Sequence, residues 1–373
     1  MNAPIPLTHD TAGPRSIAVK PSRRAWHPKR VVITRDAREE PHGLAVAQRC
    51  ADAGLKVEEL RGNAVRMPKA DSERAAYALA KNTLAIVTAP ASRLRLDPIA
   101  PSADWRLDLA TGCPAHCNYC YLAGSLKGPP MTRAFANLDA IFDAAVAHEG
   151  QGTITSRSTA RAHEGTTYEA SCYTDPLGIE HLTGSLAWMI ERFGEWDADV
   201  QLRFTTKFAD VGTLLNLPHN GGTRMRASVN PAAYAPFEGG TDKVADRLAA
   251  LAQMARAGYP VGLTIAPIIA ADGWQEAYGE LIGQAGPLLN PIAGLDLTVE
   301  LITHRFTEGS RAVLQSWYPA SKLDMSAERR TIKRTKFGTR KTVYDRETMG
   351  ELKTFFHEAI ERELPSARIL YWT

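Results

Sequence analysis

From Trp105 onward the sequence repeats one pattern six times: a short β-prone run, then an amphipathic helical run. The β-prone runs are Arg106–Ala110, Thr167–Cys172, Gln201–Thr206, Arg224–Val229, Val261–Pro267 and Leu295–Ile302. The helical runs are Leu138–His148, Ile179–Phe193, Phe208–Leu215, Asp242–Ala257, Gln275–Ala285 and Ser310–Trp317. Consecutive strand–helix units imply parallel strands joined by right-handed crossovers. Six of them predict an α/β fold built on a partial (β/α)6 TIM-type barrel, whose chemistry sits on loops after the C-terminal ends of the strands. Ahead of this unit, strands Val31–Thr34, Lys56–Leu60 and Thr83–Thr88 alternate with helices His42–Ala53 and Asp71–Lys81, a small α/β unit. After it come a basic stretch, Arg329–Lys341, then a helix, Glu347–Glu363, and a last strand, Ala367–Trp372. The expected division is a disordered lead-in (1–26), a small α/β domain (27–104), the barrel (105–320) and a C-terminal hairpin, helix and strand (321–373).

At 373 residues the chain is long enough for two or three domains and a large core. A composition of 44% apolar and 23% charged residues is that of a soluble globular protein. No run of 18 apolar residues suggests a membrane helix. Met1–Trp26, rich in Pro, Thr and Arg, lacks the apolar centre of a secretory signal. A net charge of +3 is too mild to imply nucleic acid by itself. Of five cysteines, Cys113, Cys117 and Cys120 are crowded together, while Cys50 and Cys172 stand alone. Secreted disulfide scaffolds are shorter and denser in cysteine, so reduced thiols in the cytoplasm, three of them binding metal, fit better.

The crowded segment reads Thr111-Gly-Cys-Pro-Ala-His-Cys-Asn-Tyr-Cys-Tyr121, a C-x3-C-x2-C spacing. Three thiolates suit an iron–sulfur cluster, which usually takes four, and so leave one iron open to an external chelate. The competing reading is a zinc knuckle completed by His116 or a distant residue, but zinc ligands usually come as two short pairs and no second pair exists. The loop resembles that of radical S-adenosylmethionine (SAM) enzymes. In those, the amino and carboxylate groups of SAM chelate the open iron of a [4Fe–4S] cluster, and one electron releases a 5′-deoxyadenosyl radical. The three cysteines follow the first barrel strand and Cys172 ends the second, which puts all four at one mouth. By periodicity alone Cys172 would pass for a small buried hydrophobe.

Longer words sharpen the resemblance. The chain is similar to the spore photoproduct lyase family of DNA-repair enzymes in Ala110-Thr-Gly-Cys-Pro-Ala-His-Cys-Asn-Tyr-Cys-Tyr-Leu122, Ala136-Asn-Leu-Asp139, Glu169-Ala-Ser-Cys-Tyr-Thr-Asp175 and Ile179-Glu-His-Leu-Thr-Gly184. The match continues in Arg203-Phe-Thr-Thr-Lys-Phe208, Ala257-Gly-Tyr-Pro260 with Ala266-Pro267, Ile302-Thr-His-Arg-Phe-Thr307 and Trp317-Tyr-Pro319. The resemblance implies a substrate, the thymine dimer called spore photoproduct in DNA, from which the radical takes a hydrogen atom. It also implies that Cys172 returns a hydrogen atom and that Tyr119 and Tyr121 relay the radical, whereas on the residues alone the tyrosines could equally pack over the cluster. Lys207, Ser228, Ala266 and Thr174 match positions lining the SAM site, Thr174 keeping a hydroxyl where the family often has Ser. Without the resemblance, Lys207 would read as a solvated charge at a strand end. A flavodoxin or ferredoxin would supply the electron, and no membrane is involved.

The basic stretch, with seven Lys or Arg and no acid, flanks Phe337-Gly338 with β-prone residues and predicts a hairpin facing DNA. Arg330, Lys333, Phe337, Gly338, Lys341 and Tyr344 fit the family pattern; Arg334, Thr335, Thr339 and Arg340 depart from it. Thr339 stands where an aromatic wedge against displaced bases is expected. Arginines there favour phosphates, which give affinity without reading a lesion. The expected DNA contacts are Arg330, Lys333, Arg340, Lys341 and Tyr344; the plainer reading of the run is a solvated face. Tyr173 is bulkier than the family's usual Thr. Two other functions therefore stay open: the same radical chemistry on another nucleic-acid lesion or substrate, and a zinc-stabilised nucleic-acid binder without catalysis. Cys50 reads as core, His116 as a loop residue, and Glu180-His181 as a helix opening that caps or packs near the site.

Overall fold

The computed structural model describes residues 25–126, 128–334, 338 and 340–373. The expected lead-in through residue 24 and the hairpin residues Thr335, Phe337 and Thr339 lie outside the described residues.

Eight strands form one curled sheet, a half-barrel. From edge to edge they run Arg368–Trp372, Leu297–Thr303, Val261–Ile268, Thr223–Val229, Val200–Thr206, Thr166–Ala170, Ala103–Leu107 and Pro98–Ile99. Every pairing is parallel except the last. Apart from Arg106–Ala110, the expected strands after Trp105 exist within a few residues of their expected bounds. The C-terminal strand, read as part of a separate tail, is the edge strand of this sheet and pairs with Leu297–Thr303.

Period-2 alternation splits each strand between two environments. In Thr223–Val229, Met225, Ala227 and Val229 join the hydrophobic core, while Arg224, Arg226 and Ser228 share the other face. That concave face holds a buried ion-pair network. Arg226 meets Glu169 and, at 2.7 Å, Glu300. Arg203 lies 2.6 Å from Glu164, and Arg224 pairs with Asp296. Long buried arginines with matched carboxylates thus occupy this face of the sheet.

A second, five-stranded sheet orders Val57–Glu59, Arg30–Ile33, Thr83–Val87, Thr132–Phe135 and Ala110–Thr111. Two of its strands come from beyond residue 104 and bracket the cysteine segment, so that segment is an excursion from this sheet. At its neck Gly112 has φ +77°, and a Cβ there would lie 2.1 Å from the Met131 carbonyl oxygen. Cys50 packs in the core beneath this sheet, as its helix position suggested.

Three expected elements differ. The strand Arg106–Ala110 is two strands in two sheets, broken at Asp108-Leu109, where the Leu109 amide donates to Ser171 Oγ at 2.9 Å. The helix Ile179–Phe193 is two helices, Leu177–Thr183 and Ser185–Glu195, divided by Gly184 in the left-handed region. Glu180 caps the second by accepting from the Leu186 and Ala187 amides, 2.9 Å each. The helix Phe208–Leu215 is absent: the amides of Lys207, Phe208 and Ala209 donate to side chains of Asp175, Thr206 and Asp242, and Gly212 interrupts the run.

Candidate active site

The loops at the C-terminal ends of the half-barrel strands bring most of the expected residues together. Cys113, Cys117 and Cys120 carry free thiols, as do Cys50 and Cys172. Within the loop, Cys113 and Cys120 both act electrostatically on Cys117, and burial raises all three thiols above their ordinary range. The loop is tied on both sides. His116-Cys117 pairs antiparallel with Glu238-Gly239. On the other side Tyr77 bonds through its hydroxyl to Tyr318 and, at 3.3 Å, to His116 Nδ1, with the Trp317 ring stacked on it at 4.6 Å. His116 is therefore a structural tie of the loop.

Glu238 is the hub of the inner site. It accepts from the Tyr119 hydroxyl, from Lys207 Nζ at 2.7 Å and from Asn230 Nδ2 at 3.2 Å, and its other oxygen lies 2.7 Å from Arg247. Burial works against its charge, but Lys207 and Arg247 outweigh it and hold the carboxyl down at about 2. Lys207 also donates to the Ala266 carbonyl at 3.3 Å, and Arg247 to that of Ser228 at 2.9 Å. Lys207 is thus a paired, largely buried cation rather than a solvated strand-end charge. Lys207, Ser228 and Ala266 converge through this hub. Sequence reading did not single out Glu238, Asn230 or Arg247. One signal was available: Asn230 directly follows the strand Thr223–Val229, where barrel chemistry sits.

Cys172 lies in the turn after Thr166–Ala170. Ser171, at φ 59°, holds the turn in a conformation rare for a residue with a side chain. Cys172 is half-buried, and burial with Asp108 and Glu169 nearby raises its thiol well above the ordinary range. Two residues on, Thr174 Oγ1 is shut off from solvent with no hydrogen-bond partner among the described residues. Asp175 closes the turn, accepting from Thr206 Oγ1 and the Lys207 amide at 2.7 Å each. Tyr121, 56% exposed, stands at the rim; Cys172, Cys120 and Tyr173 all act on its hydroxyl. The Tyr173 ring is held between Arg93 and Arg106, whose guanidinium carbons lie 5.1 and 4.8 Å from its centroid.

These residues fit the cofactors read from the sequence. A zinc ion draws its ligands to about 2.3 Å from one centre. Among the described residues no three His, Cys, Asp or Glu side chains converge that way. A [4Fe–4S] cluster takes each thiolate on a different iron and accepts a more open set. The orphaned Thr174 hydroxyl, one residue before Asp175, leaves a buried polar partner for a bound molecule.

The hairpin pairs Arg330–Arg334 with Arg340–Tyr344, setting Lys333 opposite Lys341 and Arg334 opposite Arg340. Two of the five expected DNA contacts face inward. The Arg330 guanidinium lies 4.2 Å from the Tyr344 ring centroid and donates to the His304 carbonyl at 3.1 Å. Tyr344 is 5% exposed and its hydroxyl accepts from the Ala270 amide. Both anchor the base of the hairpin, because a ring and a guanidinium stacked there bury each other. Lys333 and Arg340 are exposed and Lys341 partly so.

The family model of spore photoproduct lyase matches residues 26–373. Spore photoproduct lyase of Geobacillus sp. (strain Y412MC61) is 38% identical over 348 residues, 93% of this chain and 98% of that protein. The spore photoproduct lyase of Bacillus subtilis (strain 168) is 36% identical over 349 residues, with 93% and 98% covered. Among solved structures, a spore photoproduct lyase mutant with bound AdoMet and dinucleoside spore photoproduct matches with a TM-score of 0.85 at 37% identity, over 94% of this chain and 100% of that one. Spore photoproduct lyase complexed with dinucleoside spore photoproduct matches with a TM-score of 0.84 over the same shares.

Proposed function

Because the chain belongs to the spore photoproduct lyase family, we propose that it is a radical SAM carbon–carbon lyase that reverses the thymine dimer spore photoproduct in DNA. The observation that carries this reading is the arrangement at the mouth: three free thiols on one loop, a fourth in the facing turn, and an orphaned hydroxyl beside it. Cys113, Cys117 and Cys120 would hold the [4Fe–4S] cluster, and Thr174, Lys207, Ser228 and Ala266 would line the SAM site. When bound, that pair supplies a 5′-deoxyadenosyl radical for hydrogen abstraction from the lesion.

The chain's own residues then do the rest. Cys172 gives the hydrogen atom of its S–H to the thymine radical left when the bond between the two thymines breaks. Burial keeps it as a thiol, the form that holds that hydrogen. Tyr121, at the rim beside Cys172, returns a hydrogen atom to the resulting thiyl. Tyr119, its hydroxyl already held by Glu238, passes a hydrogen atom to Tyr121 and takes one back from the 5′-deoxyadenosine formed by the abstraction. Lys333, Arg340 and Lys341 meet DNA phosphates, with Arg330 and Tyr344 fixing the hairpin they stand on. A flavodoxin or ferredoxin would deliver the electron. A reducing, cytoplasmic setting fits three crowded cysteines read as cluster ligands.

The test is repair of a dinucleotide spore photoproduct by the anaerobically reconstituted protein. Wild type should restore two thymines; Cys172→Ala should still cleave SAM yet lose the repaired product. Unchanged repair by Cys172→Ala would remove Cys172 from the mechanism. Tyr173, clamped beside Cys172, favours a second reading in which the same chemistry acts on another nucleic-acid lesion. SAM cleavage by wild type without repair of this lesion would select it. Zinc at one per chain and no iron would end both.

A further inference from the structure

Lys81 ends the helix Glu73–Lys81 and is only 3% exposed. Its Nζ donates to two backbone oxygens of the cysteine loop, those of Cys113 and Ala115, and lies 5.8 Å from the Tyr77 ring centroid. Among the described residues no carboxylate lies within ion-pair distance of it. Carbonyl oxygens and a ring face offer partial charges only, and a buried ammonium is costly without a full counter-charge. The other buried Lys and Arg side chains among the described residues, Arg161, Arg203, Arg224, Arg226 and Arg247, all have carboxylates. What Lys81 faces instead is the loop of three cysteines, negative once they are thiolates on iron.

We propose that Lys81 is the fixed counter-charge of the iron–sulfur cluster, a positioning residue that favours the cluster's reduced, more anionic form. The inference rests on the reading that the loop holds a cluster. It is supported by the geometry: Lys81 Nζ is fixed on the carbonyl oxygens of Cys113 itself and of Ala115, both within the loop. Reduction adds one electron to the cluster and needs no proton, so a cation held beside the loop makes that electron easier to accept. The helix from the five-stranded sheet's side of the molecule thereby takes part in the chemistry of the half-barrel.

The experiment compares wild type with Lys81→Gln, which keeps N–H donors but loses the charge, and Lys81→Arg, which keeps the charge. Each is reconstituted anaerobically, its iron and sulfide counted, and its cluster titrated with dithionite through redox mediators while electron paramagnetic resonance follows the reduced form. The expected order is wild type and Lys81→Arg together, with Lys81→Gln shifted to lower potential and less reduced at equal dithionite. Should Lys81→Gln take up no cluster, iron content decides: retention in Lys81→Arg supports the counter-charge. A Lys81→Gln cluster with the wild-type potential overturns it, as does Lys81→Arg behaving like Lys81→Gln. Failure of the cluster reading looks different, since wild type itself would then take up no iron.

Discussion

On the concave face of the half-barrel, Arg203, Arg224 and Arg226 each meet a carboxylate, whereas at the mouth, among the described residues, Lys81 forms no ion pair with a carboxylate and the Thr174 hydroxyl has no hydrogen-bond partner. Glu169 and Thr174 lie on and just after one strand, while Lys81 comes from the five-stranded sheet's side. Their difference separates scaffold from seat. Where buried charges meet counter-charges inside the chain, they serve the scaffold; where a buried charge meets none, it is open to something the chain binds.

The comparison breaks first if the interior network proves dispensable. Arg226→Met leaves Glu169 and Glu300 buried with their shared cation gone, and should cost about 3–5 kcal/mol of stability in guanidinium unfolding. A loss below about 1 kcal/mol would mean that the network is not what completes the barrel.

Glu180 is an intermediate case, a buried carboxyl held by two amides rather than by a cation. Burial pushes it up to about 7, against those hydrogen bonds. In the unfolded chain it titrates near 4.3, so between about 4.3 and 7 the folded state binds more protons. Stability is therefore highest at the low end of that window and falls as pH rises through it, by a few kcal/mol at most. Glu180→Gln loses one cap bond at every pH but should flatten this slope, measured by unfolding at pH 5 and pH 8. An unchanged slope would place the titration elsewhere.

The smallest effect is expected at the mouth. Thr174→Val removes a hydroxyl that bonds to nothing among the described residues, and should leave stability unchanged or raise it by about 1 kcal/mol. SAM binding by the reconstituted protein, followed by calorimetry, should weaken. A clear loss of stability in the metal-free chain would show that the hydroxyl already has a partner and is not part of the seat.

Local pattern carried much of this. The alternation of β-prone and helical runs gave the half-barrel, and the cysteine spacing gave the loop, because both are set by neighbours in sequence. What escaped depended on distant pairing. Thr132–Phe135 could not be assigned to the five-stranded sheet from its own residues, since its partners there, Thr83–Val87 and Ala110–Thr111, are distant in sequence. Glu238 looked like any surface acid, and becomes a hub only when Tyr119, Lys207, Asn230 and Arg247 arrive from four other segments. Arg330 and Tyr344 read as free for DNA because nothing local shows that each is the other's packing partner. Phe208–Leu215 was helical by composition and lost to side chains that claim its first amides.

The tie between the cysteine loop and Glu238 also reaches across the chain. Tyr119 and Glu238 are 119 residues apart in the chain, and Tyr77 and His116 are 39 apart. Closing loops of such lengths costs conformational entropy that the packing around them must offset. The shape of the cysteine loop is therefore held by segments far from it in sequence, and damage done at Tyr77 or Glu238 would be felt at the cysteines.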